Sequence, residues 1–197
     1  MRLFVAVGIP DAVAADLDRV VAPRRAVWPG LRWTGREAWH LTLAFLGEMP
    51  EGAAARLEPR LERAAARHPR MSLSLRGGGA FPGPARARVL WTGVQGDQGA
   101  LGRLSASVAA GARRAGAAGL DESRRFQAHL TLARCRDPVD ARELVASLAD
   151  YAGPAWCAGE IYLIRSHLPS GPAQQRPRYE TLGCWPLRVP AVGTREP

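Results

Sequence analysis

The pentapeptide His-Leu-Thr-Leu-Ala occurs twice in this chain, beginning at His40 and at His129. Each copy lies in an apolar run that is too short for a helix, so each is predicted to be a strand. Residues i and i+2 of a strand face the same side, which sets His40 beside Thr42 and His129 beside Thr131, with the leucines on the opposite face. The repeat therefore presents an imidazole and a hydroxyl from one face, twice.

The segments around the two copies are predicted to follow the same order. In each half a motif strand precedes a helix and two further strands, at distances that agree within a few residues. This repetition predicts an α+β fold of two pseudo-symmetric lobes, each an antiparallel sheet with helices on its outer face, with an active-site cleft between the lobes. Residues 1–197 are expected to form this single domain, with a flexible tail at about 189–197. Strands are predicted near 2–8, 40–46, 71–76, 86–93, 129–133, 156–167 and 178–188, and helices near 11–22, 51–67, 98–116 and 138–149.

Proline and glycine residues predict local interruptions. Pro59 falls inside the second predicted helix and is expected to kink or split it. The run Gly77-Gly78-Gly79 is expected to belong to a flexible hairpin loop that also contains Pro82-Gly83-Pro84. This run lacks the following Gly-Lys-Ser/Thr and the helix of a phosphate-binding loop.

The charge of the chain favours a polyanionic partner such as nucleic acid. All 27 basic residues are arginine, against 18 acidic residues, which gives a formal net charge of +9. The chain has no lysine or asparagine, which is typical of a genome rich in G and C, so the choice of arginine is itself uninformative. The absence of lysine excludes any mechanism that stores a nucleotide or a Schiff base on a lysine amine, including that of a nucleotidyl-transferring RNA ligase.

Cysteine usage predicts neither a disulfide framework nor a zinc cluster. Cys135, Cys157 and Cys184 are odd in number and contain no Cys-x-x-C pair, which favours a reducing cytoplasm. The apolar run at 2–8 is too short to span a membrane and is predicted to be a buried strand. Without an H-E-x-x-H, H-x-H or Cys/His cluster, no metal or other cofactor is expected.

Two imidazoles and two hydroxyls suit acid–base chemistry on a phosphate. Opening a cyclic phosphodiester needs a base for water and an acid for the departing alkoxide, each contributing about 10²–10⁴-fold. Imidazoles that titrate near neutral pH supply both, and Thr42 and Thr131 are placed to donate to phosphate oxygens. A single His-x-Thr on a strand is more often structural. A duplicated fold can also retain a repeated core strand without a site. Two copies at corresponding places in the two halves nevertheless favour a functional pair.

Side chains near the motifs are further candidates. Arg134 follows the second motif, but strict alternation puts it on the face opposite His129, so it reaches a phosphate only if the strand ends or bulges there. Phe45, Trp39 and Phe126 are candidates for stacking on a base, although half-buried aromatics in strands more often belong to the core. Other neighbours are Arg124, Arg125 and Arg136, and surface or capping roles are expected for His68 and His167.

These motifs resemble those of the 2H phosphoesterases, a family named for its paired His-x-Thr motifs, and in particular the bacterial and archaeal RNA 2′,3′-cyclic phosphodiesterases. The resemblance includes the opening Met-Arg-Leu-Phe-Val-Ala-Val and the segments 40–47 and 125–134, and it extends from residue 1 to about 188. Ala128 departs from the family pattern, which often has proline just before the second histidine.

The resemblance implies two lobes related by a pseudo-twofold axis. It also implies that a terminal 2′,3′-cyclic phosphate on RNA is opened to a 2′-phosphate without a metal or cofactor. His129 would activate water and His40 would protonate the leaving 3′ oxygen, with the exchanged roles left open. Thr42, Thr131 and Arg134 would bind the phosphate.

The remaining implications concern the base and the alternatives. Phe126 would stack on a base, and ATP-independent 2′-5′ RNA ligation would be the reverse of the hydrolytic reaction. A non-catalytic module that binds RNA ends and a phosphodiesterase for a small cyclic nucleotide are the alternatives. A monomer that does not bind membranes is expected.

Overall fold

The computed structural model describes residues 1–120, 125–168 and 177–189. Arg124 and the predicted tail beyond residue 189 lie outside the described residues. No helix among those described is long and apolar enough to cross a membrane. The strands are β1 Arg2–Gly8, β2 Arg32–Trp33, β3 His40–Glu48, β4 Met71–Phe81, β5 Ala87–Gly96, β6 His129–Val139, β7 Trp156–Ala158, β8 Glu160–His167 and β9 Arg178–Pro186, and the helices are α1 Asp11–Val27, α2 Ala53–Arg67, α3 Gln98–Arg114 and α4 Arg142–Ser147.

These strands form one curled sheet in the order β7-β4-β5-β6-β3-β1-β8-β9, with β2 also paired to β6. Within the described residues the central strands β3 and β6 share a single pair, Leu41–Leu130. This narrow connection divides the sheet into a first lobe (β3, β1, β8 and β9) and a second lobe (β6, β5, β4, β7 and β2). The concave face between the lobes is called the groove below. The predicted α+β fold with two antiparallel lobes is confirmed.

The two lobes do not coincide with the two halves of the sequence. The hairpin of β4 and β5 comes from the first half but lies beside β6, whereas β8 and β9 come from the second half and lie beside β1. The chain returns to the first lobe at Gly159, which is the one residue between β7 and β8. Each lobe still receives one motif strand, as the repeat predicts.

The leucines of the motif strands face the helices and not the groove. Leu41 and Leu130 are 1% and 0% exposed, and burying a leucine stabilises the fold by roughly 1.5–3 kcal/mol. Helices α2 and α3 cover the first lobe, where the Ser105 hydroxyl donates to a backbone oxygen of β3 at 2.7 Å. In the second lobe α4 packs on β4, and α1 is tied to α4 by a 2.8 Å hydrogen bond from Arg24 to Ser147.

The prediction of a flexible loop at Gly77-Gly78-Gly79 is wrong, because these glycines lie inside β4. Gly77 has φ +61°, and the register with β5 shifts between Arg76 and Gly79, which is a bulge that glycine permits. Gly79 also leaves space for the Trp91 indole, which comes within 2.2 Å of where a Cβ would be. The connection between the strands is therefore confined to residues 82–86.

Two further boundaries differ from the predictions. Pro59 does not split α2, since the helix is continuous from Ala53 to Arg67. The proline and Ala55, whose carbonyl it leaves without an amide partner, are both exposed, so water can satisfy that carbonyl. Strand β6 continues past Pro138, so α4 begins later than predicted, at Arg142.

Candidate active site

His40 and His129 approach each other where the two lobes meet. Both begin their strands, and the antiparallel pair Leu41–Leu130 sets His40 beside Thr131 and His129 beside Thr42. Residues on either side of a strand residue share the opposite face, so all four polar side chains lie on the groove. The two imidazoles are close enough for a charge on His129 to lower the pKa of His40. The contact between the motif strands therefore brings the predicted residues together.

Aromatic side chains enclose the ring of His40. The ring stacks on Phe4 with centroids 4.7 Å apart and meets Tyr179 edge-on at 5.4 Å. Burial lowers the pKa of His40 from 6.5 to about 4, an effect opposed by a hydrogen bond to the backbone of Ala38 and reinforced by the charge of Arg134. His40 is therefore neutral at pH 7.

His129 is held in a corresponding way. Its Nδ1 lies 2.8 Å from the Gln127 carbonyl oxygen, which can only accept, so Nδ1 carries the proton of the neutral ring and Nε2 is unprotonated. Phe81 meets the ring edge-on at 5.0 Å, and Trp91 lies 6.2 Å away. Burial lowers the pKa of His129, opposed by the Gln127 hydrogen bond and reinforced by Arg134. As in the first lobe, the hydrogen bond reaches the residue two positions before the histidine.

A β-bulge follows the threonine of each motif. One extra residue shifts the alternation of faces by one, so the residue five positions after each histidine returns to the groove. That residue is Phe45 in the first lobe and Arg134 in the second. The sequence signal is the Leu-Ala doublet, since both of its residues are buried in each copy. The extra residues are Leu43, between the pairs Ala6–Thr42 and Val5–Ala44, and Leu132, between the pairs Trp91–Thr131 and Leu90–Ala133.

Arg134 lies on the groove because β6 bulges before it, which is the condition that simple strand alternation had set for it to reach a phosphate. Its side chain is exposed, and its charge lowers the pKa of both His40 and His129. A guanidinium beside two neutral imidazoles attracts an anion, and its planar set of donors matches the oxygens of a phosphate.

The aromatic candidates differ in their exposure. Phe45 is 51% exposed and lies 6.0 Å from the ring of Phe4, so its face is open to a planar ligand. Phe126 is half-buried and packs against Gly102 of α3. Trp39 is buried in the core.

The remaining histidines and cysteines lie outside the two His-Leu-Thr-Leu-Ala motifs. His68 ends α2 and lies 2.8 Å from the Ser107 hydroxyl oxygen, and His167 forms a 2.8 Å ion pair with Glu180. Their predicted capping and surface positions are confirmed. The described part of the chain contains no group of three or more His, Cys, Asp or Glu side chains placed to hold a metal ion. The candidates Arg125 and Arg136 are exposed, and the thiols of Cys135, Cys157 and Cys184 are free.

Sequence reasoning missed the residues that surround the two imidazoles. They come from strands remote in sequence, and only pairing in the sheet brings them to the groove. Each histidine is also paired with a glycine on the neighbouring strand, Gly8 for His40 and Gly93 for His129. The missed aromatic residues are Phe4 and Tyr179 in the first lobe and Phe81 and Trp91 in the second.

Comparison with known proteins gives consistent matches. Residues 7–91 match the family described as LigT-like phosphoesterases. The RNA 2′,3′-cyclic phosphodiesterase of Archaeoglobus fulgidus is 36% identical over 136 residues, which are 69% of this chain and 73% of that protein. The enzyme of the same name from Aeropyrum pernix is 37% identical over 146 residues, or 74% of this chain and 80% of that protein.

Solved structures extend the match to nearly the whole chain. A protein of Thermus thermophilus superimposes with a TM-score of 0.74 at 30% identity, covering 96% of this chain and all of that one. Escherichia coli LigT superimposes with a TM-score of 0.71 at 27% identity, covering 94% and 96%. Fold and sequence together define an enzyme of the phosphoesterase class. The chain belongs to the family of LigT-like phosphoesterases, the 2H phosphoesterases that its two motifs resemble.

Proposed function

We propose that this chain hydrolyses the terminal 2′,3′-cyclic phosphate of RNA to a 2′-phosphate, with His40 and His129 as its acid–base pair and without a metal. The observation that carries the proposal is the juxtaposition of two neutral imidazoles and two threonines on one groove beside Arg134. The relatives named RNA 2′,3′-cyclic phosphodiesterase support the substrate. Complexes of Escherichia coli LigT with 3′-AMP and with phosphate support a nucleotide phosphate as the ligand.

In the proposed reaction, water attacks phosphorus and the bond between phosphorus and the 3′ oxygen breaks. One imidazole takes a proton from the water and the other gives a proton to the 3′ oxygen. At the start of the reaction the base must therefore be a neutral imidazole and the acid an imidazolium. The cyclic phosphodiester carries one negative charge, which favours the imidazolium because a negative charge raises the pKa of a nearby imidazole. Thr42, Thr131 and Arg134 donate to the non-bridging oxygens.

The base is placed by aromatic stacking in this proposal. Phe45 offers the more open ring, whereas Phe126 is packed against α3, so we assign the principal stacking role to Phe45. We propose that the same residues also catalyse 2′-5′ ligation without ATP. A 5′-hydroxyl then takes the place of water as the nucleophile, its proton goes to the base, and the bond between phosphorus and the 3′ oxygen breaks as before. The protein is proposed to act as a single-domain monomer in the cytoplasm, a reducing compartment that suits its free thiols.

The hydrolysis test uses purified protein with uridine 2′,3′-cyclic phosphate in excess EDTA. We expect a 2′-phosphate product, with His40→Ala and His129→Ala each losing several orders of magnitude in kcat/KM. His167→Ala is the matched control, since that histidine pairs with Glu180 outside the motifs and should keep wild-type activity. Absence of a phosphomonoester product both from this compound and from an RNA ending in a 2′,3′-cyclic phosphate would refute the metal-free hydrolase, and RNA-end binding without turnover would favour a binding module.

The roles of the two histidines are separated by a leaving-group experiment. The resemblance implies His129 as base, whereas the strong burial of His40 disfavours its imidazolium and favours His129 as the proton donor. A substrate with sulfur in place of the 3′ oxygen needs no acid, because a thiolate leaves without protonation. The alanine variant whose activity this substrate restores therefore lacks the acid, and the variant that stays inactive lacks the base.

A further inference from the structure

Two arginines, Arg32 and Arg134, lie directly opposite each other on neighbouring strands, and Arg134 is close enough to both histidines to lower their pKa. The antiparallel pairing of β2 with β6 puts Arg32 in register with Arg134. Cross-strand partners share a face and have Cβ atoms roughly 4.5–5.5 Å apart. Because the bulge at Leu132 turns Arg134 towards the groove, Arg32 also faces the groove.

The positive charges of Arg32 and Arg134 repel each other across the two strands. Both side chains are exposed, and neither forms a hydrogen bond or an ion pair with any residue that the structure describes. Like charges at directly opposite positions of an antiparallel pair destabilise it. An anion that bridges the two guanidinium groups would reverse the sign of this interaction.

The position of the pair along the groove indicates which anion it binds. From the crossing of the motif strands, His40 lies beside Thr131, and Arg134 follows Thr131 along β6, so the arginine pair lies at the His40 end. Phe45 occupies the corresponding position at the other end, beyond Thr42. The groove therefore has an aromatic end and a cationic end, with the two imidazoles between them.

We infer that Arg32, together with Arg134, binds the 5′ phosphodiester of the RNA nucleotide whose cyclic phosphate lies between the histidines, while the other N–H donors of the Arg134 guanidinium contact the cyclic phosphate. This inference rests on the proposed function and adds a substrate class to it. A nucleoside 2′,3′-cyclic phosphate has no 5′ phosphodiester, whereas every longer RNA end has one. Arg32 thereby makes the enzyme select RNA ends over cyclic mononucleotides.

The test compares two substrates with the same reacting nucleotide, uridine 2′,3′-cyclic phosphate and the dinucleotide ApU ending in a 2′,3′-cyclic phosphate. Loss of a charged hydrogen bond predicts that Arg32→Gln raises KM for the dinucleotide roughly tenfold or more. The rise for the mononucleotide should be much smaller. Arg63→Gln, which removes the same charge from an exposed position on α2, should leave both KM values unchanged.

Thermal unfolding of the same variants separates binding from folding. Arg32→Gln removes a like-charge contact, so its Tm should equal or exceed that of the wild type. An equal effect on the two substrates, or no effect on the dinucleotide, would overturn the inference and leave the proposed hydrolysis standing. If the wild type hydrolyses neither substrate, the proposed function fails and the inference fails with it.

Discussion

At the scale of single residues, His40 couples the stability of the fold to pH. Its pKa falls from 6.5 to about 4 on folding because burial disfavours the imidazolium. The unfolded chain therefore binds more protons between these two pH values, and stability is lost as the pH falls through this window. The contribution is complete above pH 6.5 and absent below about pH 4.

Urea unfolding at two pH values measures this coupling. We expect the free energy of unfolding of the wild type to fall by about 2 kcal/mol from pH 7.5 to pH 5 through His40 alone. His40→Gln cannot titrate, so its loss between the same pH values should be smaller by that amount. Equal losses in the two proteins would show that His40 is not the group responsible.

Thr42 and Thr131 are predicted to act through their hydroxyls. Removing one donor that stabilises charge on a phosphate should lower kcat by about 10–10³-fold, by comparison with the loss of one oxyanion donor. Thr42→Val and Thr131→Val keep the β-branched shape and delete the hydroxyl, while Thr42→Ser and Thr131→Ser keep the hydroxyl and should retain most activity. Steady-state kinetics on uridine 2′,3′-cyclic phosphate distinguish these variants, and a valine variant as active as its serine counterpart would contradict the role.

At the scale of elements, the bulges in β3 and β6 decide which side chains enter the groove. Without them, simple alternation would direct Phe45 and Arg134 into the helix-covered face. The same displacement in both strands places an aromatic ring at one end of the groove and a guanidinium at the other. The same bulge in both strands thus carries two different side chains, which suits a substrate whose two sides differ.

The contact between β4 and β5 offers a test of how the aromatic residues support His129. Gly79→Ala would place a methyl group against the Trp91 indole, which packs beside Phe81 and His129. We expect destabilisation of about 1–3 kcal/mol from overpacking and a lower kcat/KM as the aromatic residues shift. Chemical denaturation and kinetics measure the two effects.

Gly83→Ala is the control for this substitution, because no heavy atom lies within 4 Å of the added Cβ. Its effect on stability should stay within about 0.5 kcal/mol. If the two alanine variants behave alike, Trp91 is not held against Gly79 as the structure indicates.

At the scale of the whole molecule, the net charge of +9 should make RNA binding sensitive to salt. Each phosphate contact releases counterions, so the logarithm of KM for an RNA end should rise linearly with the logarithm of salt concentration. KM for uridine 2′,3′-cyclic phosphate, with a single phosphate, should rise with a smaller slope. Measurement between 50 and 300 mM KCl gives both slopes, and equal slopes would argue against a polyanionic substrate.

The sequence by itself determined the features that depend on local patterns. Strand periodicity is enough to put each histidine and its threonine on one face with the leucines on the other, and the duplication is enough to predict two lobes of antiparallel sheet. The absence of lysine likewise excludes lysine-bound intermediates whatever the fold.

Only the tertiary structure decided how these pieces combine. The single pair Leu41–Leu130 crosses the motif strands so that each histidine lies beside the threonine of the other lobe. Pairing between strands distant in sequence brings Phe4 and Trp91 to the imidazoles and sets Arg32 opposite Arg134. Which strands become neighbours depends on how the whole sheet buries its apolar face, and local periodicity carries no information about that choice.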